Sequence, residues 1–188
     1  MPNLDGSRVA FLVANEGIEQ IELTRPWQAV RDAGGLPQLI APKPGIAQAF
    51  NHLDKADTFP VDRLTSELDP DDYVGVVLPG GVANPDQLRM DEPAVAFLHD
   101  WCAAARPLAA ICHGPWTLIE AGAVSGRTLT SWPSLQTDLR NAGATWVDRQ
   151  VQVCHDGPGP IVTSRKPDDL DAFCEAFLTA FAGQPARH

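Results

Sequence analysis

The sequence predicts an α/β protein whose mostly parallel sheet is covered on both sides. Three observations predict it. Short continuous apolar runs such as Arg8–Ala14 and Tyr73–Leu78 read as strands buried on both faces. Gly- and Pro-rich turns close those runs, as at Pro79-Gly80-Gly81. Amphipathic helical stretches alternate with them along the chain, which is the pattern of a sheet between helix layers. At 188 residues, with no repeat, linker or low-complexity segment, residues 1–188 read as one domain with a substantial core.

Taken in order, Arg8–Ala14 opens the sheet and Asn15-Glu16-Gly17 turns the chain. Ile18 to Gly34 reads as helix, with an interruption at Pro26 that leaves a first piece ending near Leu23. Gly34-Gly35 stops it, and Leu36–Ala41 is a second strand. Pro42 to Asp69 has weak periodicity and reads as loop, with short edge strands around Phe50 and Phe59–Val61. Asp91 to Ala105 is amphipathic helix, started by Asp-Glu-Pro. Pro107–Ile111 is a strand and Trp116–Ala121 a helix. Thr128–Ser131 and Thr145–Val147 are strands around a Pro133–Asn141 helix. Val151–His155 and Pro160–Ser164 flank Asp156-Gly157-Pro158-Gly159 as a hairpin. Pro167 to Phe181 closes the chain as a helix with Leu170, Phe173, Cys174, Phe177 and Leu178 on one face.

Composition narrows the function classes. A formal charge of -10 and a pI near 4.7 argue against nucleic acid or an anionic membrane surface as partner. No apolar run approaches the ~20 residues of a membrane span, and no leader of basic then apolar residues is legible near Met1. The four cysteines (102, 112, 154 and 174) form no CxxC pair, so free thiols in a reducing cytoplasm are the consistent expectation. Cys112-His113 and Cys154-His155 lack zinc-ligand spacing, and no cofactor signature is present. His52, His99 and His188 have no chemically suggestive neighbours.

The chemistry-bearing stretch is Ala110-Ile111-Cys112-His113-Gly114-Pro115, an apolar strand that ends abruptly in a thiol, a sharp turn and a helix start. That is the context of a nucleophile elbow. Unpaired N–H groups and the helix dipole there favour an anion, which predicts a thiol pKa below the free value of ~8.5. The alternative is a buried cysteine that merely ends a core strand. In open α/β sheets ligands bind at the carboxyl ends of strands. Three such ends carry suggestive residues: Glu19 and Glu22 after the first, Gly80-Gly81 after the third, and Cys112. Glu19 and Glu22 share a helix face, and either carboxylate can be a proton carrier or merely a first-turn charge. Gly81 and His113 backbone N–H groups would form an oxyanion hole if aimed at one point. The His113 ring is expected to point away from Cys112, because adjacent residues around a sharp turn diverge.

Together with Leu78-Pro79-Gly80-Gly81, Glu19-Gln20-Ile21-Glu22-Leu23, Thr130-Ser131-Trp132-Pro133 and Asn141–Asp148, the elbow resembles the ThiJ/PfpI superfamily at its PfpI-like intracellular protease and deglycase branch. The match runs from about Arg8 to Phe181. The resemblance implies a flavodoxin-like, class I glutamine-amidotransferase-like three-layer sandwich with a reactive Cys112. It implies a protonated carboxyl that hydrogen-bonds the sulfur, with Glu22 the better positional match and Glu19 the alternative. It also implies a homodimer or higher homo-oligomer, in which a neighbouring subunit's acid, here Asp86, completes the Cys112–His113 pair. Trp132 departs from the Tyr that protease-like members can carry, which removes a hydroxyl donor to substrate.

Two function classes follow from the resemblance. One is a cytoplasmic stress-response enzyme, a glyoxalase- or deglycase-type hydrolase of dicarbonyls or glycated groups on proteins and peptides, with a PfpI-type cysteine peptidase as its variant. The other is a non-enzymatic redox-sensing or chaperone-like protein that uses Cys112 oxidation. A glutamine-amidotransferase reading lacks a late His-x-Glu pair, since His155-Asp156-Gly157 is not one.

Overall fold

Alternation of side chains along the central strands decides the architecture. A computed structural model describes residues 2–183, so the leader reading at Met1 and His188 fall outside the described residues. β1 (Arg8–Leu12) turns Ala10 and Leu12 to one core and Val9 and Phe11 to the other, all fully buried. β2 (Glu16–Glu19) leads into α1 (Gln20–Asp32), followed by β3 (Leu36–Ala41), β4 (Ile46–Asn51), β5 (Asp54–Pro60), β6 (Arg63–Leu64) and β7 (Gly75–Leu78). Then come α2 (Ala83–Leu88), α3 (Glu92–Ala103), β8 (Leu108–Ile111), α4 (Pro115–Glu120), β9 (Thr128–Leu129), α5 (Gln136–Asn141) and β10 (Thr145–Trp146). β11 (Val151–Cys154), β12 (Ile161–Ser164) and α6 (Leu170–Ala182) complete the chain.

The main sheet has seven strands in the order β11-β12-β8-β7-β1-β3-β6, and every pairing is parallel except β11 with β12. α1 and α6 cover one face through Leu23, Val30, Phe173, Phe177 and Phe181. α3, α4 and α5 cover the other through Leu98, Trp101, Leu118 and Leu139. The result is the expected three-layer sandwich with a mostly parallel centre. Among the described residues no helix is long and apolar enough to cross a membrane.

Four local expectations are corrected. Glu16–Glu19 is a strand rather than a turn followed by the start of a helix, because it pairs in parallel with β4. Pro26 does not interrupt α1, although it lacks the N–H that would bond the Glu22 carbonyl. Leu23, Pro26, Ala29 and Val30 form one buried face, and that packing outweighs the lost bond. The 42–69 region is more regular than its weak periodicity suggests: β4 and β5 pair antiparallel and β2 extends them into a small sheet. Finally, α2 was not anticipated. It follows directly from the Gly80-Gly81 turn, and its Asn84 is fully buried.

Asn84 ties the strand ends together. Its Oδ1 accepts the Ala14 N–H at 2.7 Å, and its Nδ2 donates to the carbonyls of Pro79 and Gly80, each at 3.0 Å. One amide therefore fixes the exit of β1 against the turn that follows β7. Asn84→Ala leaves the Ala14 N–H and the Pro79 carbonyl without their Asn84 partner, and the Gly80 carbonyl with only the Glu19 N–H, and should cost about 2–4 kcal/mol. Chemical denaturation at fixed pH measures that loss; a cost below about 0.5 kcal/mol would show that the joint does not hold the turn.

Candidate active site

Cys112 sits where the β8 backbone breaks away from the sheet. Its φ is +61°, the left-handed region, a conformation that costs a residue with a Cβ about 1–2 kcal/mol. Neighbouring segments hold it there. The Cys112 N–H donates to the Ser164 carbonyl of β12 at 3.1 Å, and its own carbonyl accepts the Trp132 N–H at 2.9 Å. Gly114 N–H returns to the Ile111 carbonyl at 2.9 Å, and Pro115 opens α4. The elbow geometry expected from the sequence is therefore present, with the thiol 7% exposed.

The turn after β7 approaches from one side. A Cβ on Gly80 would overlap Glu22 Oε2 and lie 2.6 Å from Cys112 Cβ, so only glycine admits the carboxyl and the thiol together. Gly81 has a φ of +87°, and a Cβ there would collide with the Gly17 carbonyl. The backbone N–H groups of Gly81 and His113 lie close enough to the Cys112 sulfur to favour its charged form.

Glu22, in the first turn of α1, is fully buried. Neither carboxyl oxygen has a partner at ordinary hydrogen-bond geometry, although the Cys112 thiol and Gly80 N–H lie close enough to favour the charged form. Burial dominates and, with the nearby Glu19 charge, pushes Glu22 up to about 8. It is a neutral acid at pH 7. Glu19 faces elsewhere: its Oε2 accepts the His52 N–H at 3.0 Å and lies 3.8 Å from His52 Nδ1.

Two sequence expectations need correction here. The thiol was expected below its ordinary range, but burial, followed by the Glu22 charge, raises it, and the Gly81 and His113 N–H groups offset this only in part. α4 is a single short helix, and what its start contributes does not outweigh the loss of water. The His113 ring was expected to diverge, yet Nδ1 lies 3.1 Å from Sγ. The left-handed φ at Cys112 swings the two side chains to the same side of the turn. Burial lowers His113 to about 4, so its ring is neutral at pH 7 and has one nitrogen free to accept a proton. Nε2 faces Ser134 Oγ at 3.5 Å.

Aromatic groups border the pair. The His113 ring stacks with Trp132 at 5.9 Å between centroids and 22° between planes, and meets Trp116 at 5.1 Å and 60°. Arg89 lies over Trp116 at 5.1 Å and ion-pairs with Asp86 at 2.7 Å. Within the chain the half-exposed Asp86 carboxylate thus binds Arg89 of its own turn rather than His113. All four cysteines are free, and burial raises the other two whose shifts are resolved, Cys102 to about 11 and Cys174 to about 12. Asn84 and Ser134 escaped sequence reading: each acts through a contact distant in the chain, and an asparagine or serine near a turn carries no signal of that.

Fold and site define an α/β protein with a cysteine at a nucleophile elbow. The chain belongs to the DJ-1/PfpI family, which matches residues 7–180. It is 35% identical over 171 residues to Deglycase PfpI of Pyrococcus furiosus, covering 91% of this chain and 97% of that one. It is 37% identical over 166 residues to YraA of Bacillus subtilis, which carries a provisional cysteine-protease name, covering 88% and 93%. Among solved structures, a two-domain protein from Anabaena variabilis with DJ-1/ThiJ/PfpI-like and ferritin-like domains superposes with a TM-score of 0.84 at 29% identity. That match covers 92% of this chain and 47% of the larger one, so the chain spans about half of that protein. Drosophila melanogaster DJ-1beta gives 0.81 at 24% identity, covering 95% and 92%, a likeness of fold.

The buried acid has a measurable signature. An unfolded Glu22 ionises near 4.5 and the folded one near 8, so the folded state binds the extra proton between those values. Stability from this group is complete below pH 4.5 and is lost as pH rises towards 8. Glu22→Gln should remove that loss, gaining on the wild type by on the order of a few kcal/mol between pH 5 and pH 8. Denaturant melts at the two pH values measure it; parallel pH dependence in both proteins would mean that Glu22 is ionised in the fold.

Proposed function

We propose that this protein is a Cys112-dependent hydrolase of the glyoxalase or deglycase type, acting on 2-oxoaldehydes or their adducts on proteins. The observation that carries the reading is the 3.1 Å contact between Cys112 Sγ and a neutral His113 Nδ1. A raised thiol needs a base at the moment of attack, and His113 is placed to be that base. Sγ adds to the aldehyde carbon while its proton passes to Nδ1, and the new oxyanion lies beside the Gly81 and His113 N–H groups. His113 then returns the proton to that oxygen.

From the resulting hemithioacetal, a proton moves from the former aldehyde carbon to the adjacent carbonyl carbon. Neutral His113 serves as base, and protonated Glu22 as the acid that supports the carbonyl oxygen. The product is a thioester of a 2-hydroxy acid, which water cleaves to release the acid and regenerate the thiol. Carbon is oxidised at one atom and reduced at its neighbour, so no external oxidant or reductant enters. The deglycase name of the Pyrococcus furiosus relative supports this substrate class, and the name of the Bacillus subtilis relative supports hydrolysis as the broader chemistry.

Peptide hydrolysis would use the same nucleophile and oxyanion donors. Trp132 offers no hydroxyl to a substrate amide, and this favours the carbonyl reaction. A non-enzymatic redox role would use the same sulfur, with neutral Glu22 donating to its oxidised form. We read the protein as cytoplasmic and at least dimeric, with Asp86 of a second copy reaching the His113 ring in place of Arg89.

Methylglyoxal consumption and lactate release by fresh, reduced protein test the central reading. Cys112→Ala should abolish turnover, and His113→Ala should lower it about 10²- to 10⁴-fold. Turnover that survives Cys112→Ala would sink the thiol mechanism, and a reduced wild type without turnover would favour the sensor. For the shared site, His113→Ala and Asp86→Ala chains should each be weak and should regain activity when mixed. Absence of recovery, with subunit exchange demonstrated, would count against it.

A further inference from the structure

Trp132 is a large apolar side chain that remains 39% exposed at the edge of the site. Its placement is fixed. Its N–H donates to the Cys112 carbonyl at 2.9 Å, and its own carbonyl accepts the Ser131 hydroxyl at 2.8 Å. Its ring lies near-parallel to His113, 5.9 Å away, and the His113 ring in turn touches the sulfur through Nδ1 at 3.1 Å. The half-exposed indole therefore adjoins the histidine that contacts the sulfur, with apolar surface facing water. Trp116 closes the other side of His113, fixed by a 2.8 Å hydrogen bond from Nε1 to Asp138.

Such a surface gains when something flat and apolar covers it. An aromatic pair contributes about 0.5–1.5 kcal/mol beyond its buried area. An aryl group extends farther from the carbon bonded to Sγ than the methyl of methylglyoxal does, and it offers the indole a flat face. We propose that Trp132 is a specificity-determining residue that selects electrophiles carrying an aryl or similarly flat substituent on the far side of the carbonyl that adjoins the carbon attacked by Cys112. This rests on Cys112 being the reacting nucleophile and names the substrate class that its site prefers: aryl 2-oxoaldehydes, or glycated groups beside an aromatic side chain, over the smallest dicarbonyls.

Alkylation of Cys112 tests the preference without relying on turnover. Reduced protein is treated with 2-iodoacetamide or with 2-iodo-N-phenylacetamide, and modification of Cys112 is followed by mass spectrometry. In each case an S–C bond forms, the C–I bond breaks, iodide leaves and the thiol proton goes to His113 or solvent. Dividing by the rates with N-acetylcysteine removes intrinsic reactivity. The wild type should favour the phenyl reagent about two- to tenfold. Trp132→Leu should bring the ratio near one, and Trp132→Phe should retain most of it. Equal normalised rates in the wild type, or an undiminished preference in Trp132→Leu, would overturn the proposal alone. Failure of both reagents to modify Cys112 would overturn the reactive-thiol reading and the proposal with it.

Discussion

The site depends on one strained residue. Cys112 occupies the left-handed region at a cost that its own side chain does nothing to offset. Its N–H is held by β12, its carbonyl by the segment that begins at Trp132, and the following turn by the Ile111 carbonyl. Removing the strain would return the chain to the path of β8, bury the thiol among the strand side chains and separate it from His113 Nδ1. The contacts that satisfy the backbone are thus the same contacts that hold the sulfur 3.1 Å from His113 Nδ1.

Around that residue, burial does the electrostatic work, and it acts differently on three groups. It raises Glu22, raises the Cys112 thiol and lowers His113. At neutral pH all three are uncharged, so the site rests without a net charge to desolvate. A negative charge on the sulfur would be favoured by the nearby Gly81 and His113 N–H groups, though these offset burial only in part. Glu22 and the thiol are coupled, since the Glu22 charge raises the thiol and the thiol's hydrogen bond favours the charged Glu22.

Much of the fold was legible in the sequence because strand burial leaves a strong local mark. Arg8–Ala14, Leu36–Ala41 and Tyr73–Leu78 are mostly apolar, and each holds a strand of the parallel sheet. The misjudged regions depend on partners distant in the chain. Glu16–Glu19 is extended only because β4 lies beside it, and β5 is too exposed to show an apolar pattern. Pro26 reads locally as a helix break, yet packing against α6 carries α1 through it. In the site, the Cys112 turn and the glycine pair could be read from residue order. The direction of the thiol shift could not, because it is set by burial, and burial is a property of the assembled layers. Nor could the approach of His113, which follows from a single backbone angle.

The tether from the Cys112 N–H to Ser164 carries a consequence for how the protein is made. β12 is the last strand of the sheet, and β8, which bears the cysteine, pairs with it in parallel along Leu108–Ile111. While the chain emerges from its N-terminus, the earlier strands can align, but the elbow lacks the carbonyl that bends it. The elbow is thus completed late in synthesis, by a residue that contributes only a backbone carbonyl to it. A truncation that removes β12 would leave the cysteine present and the elbow unformed.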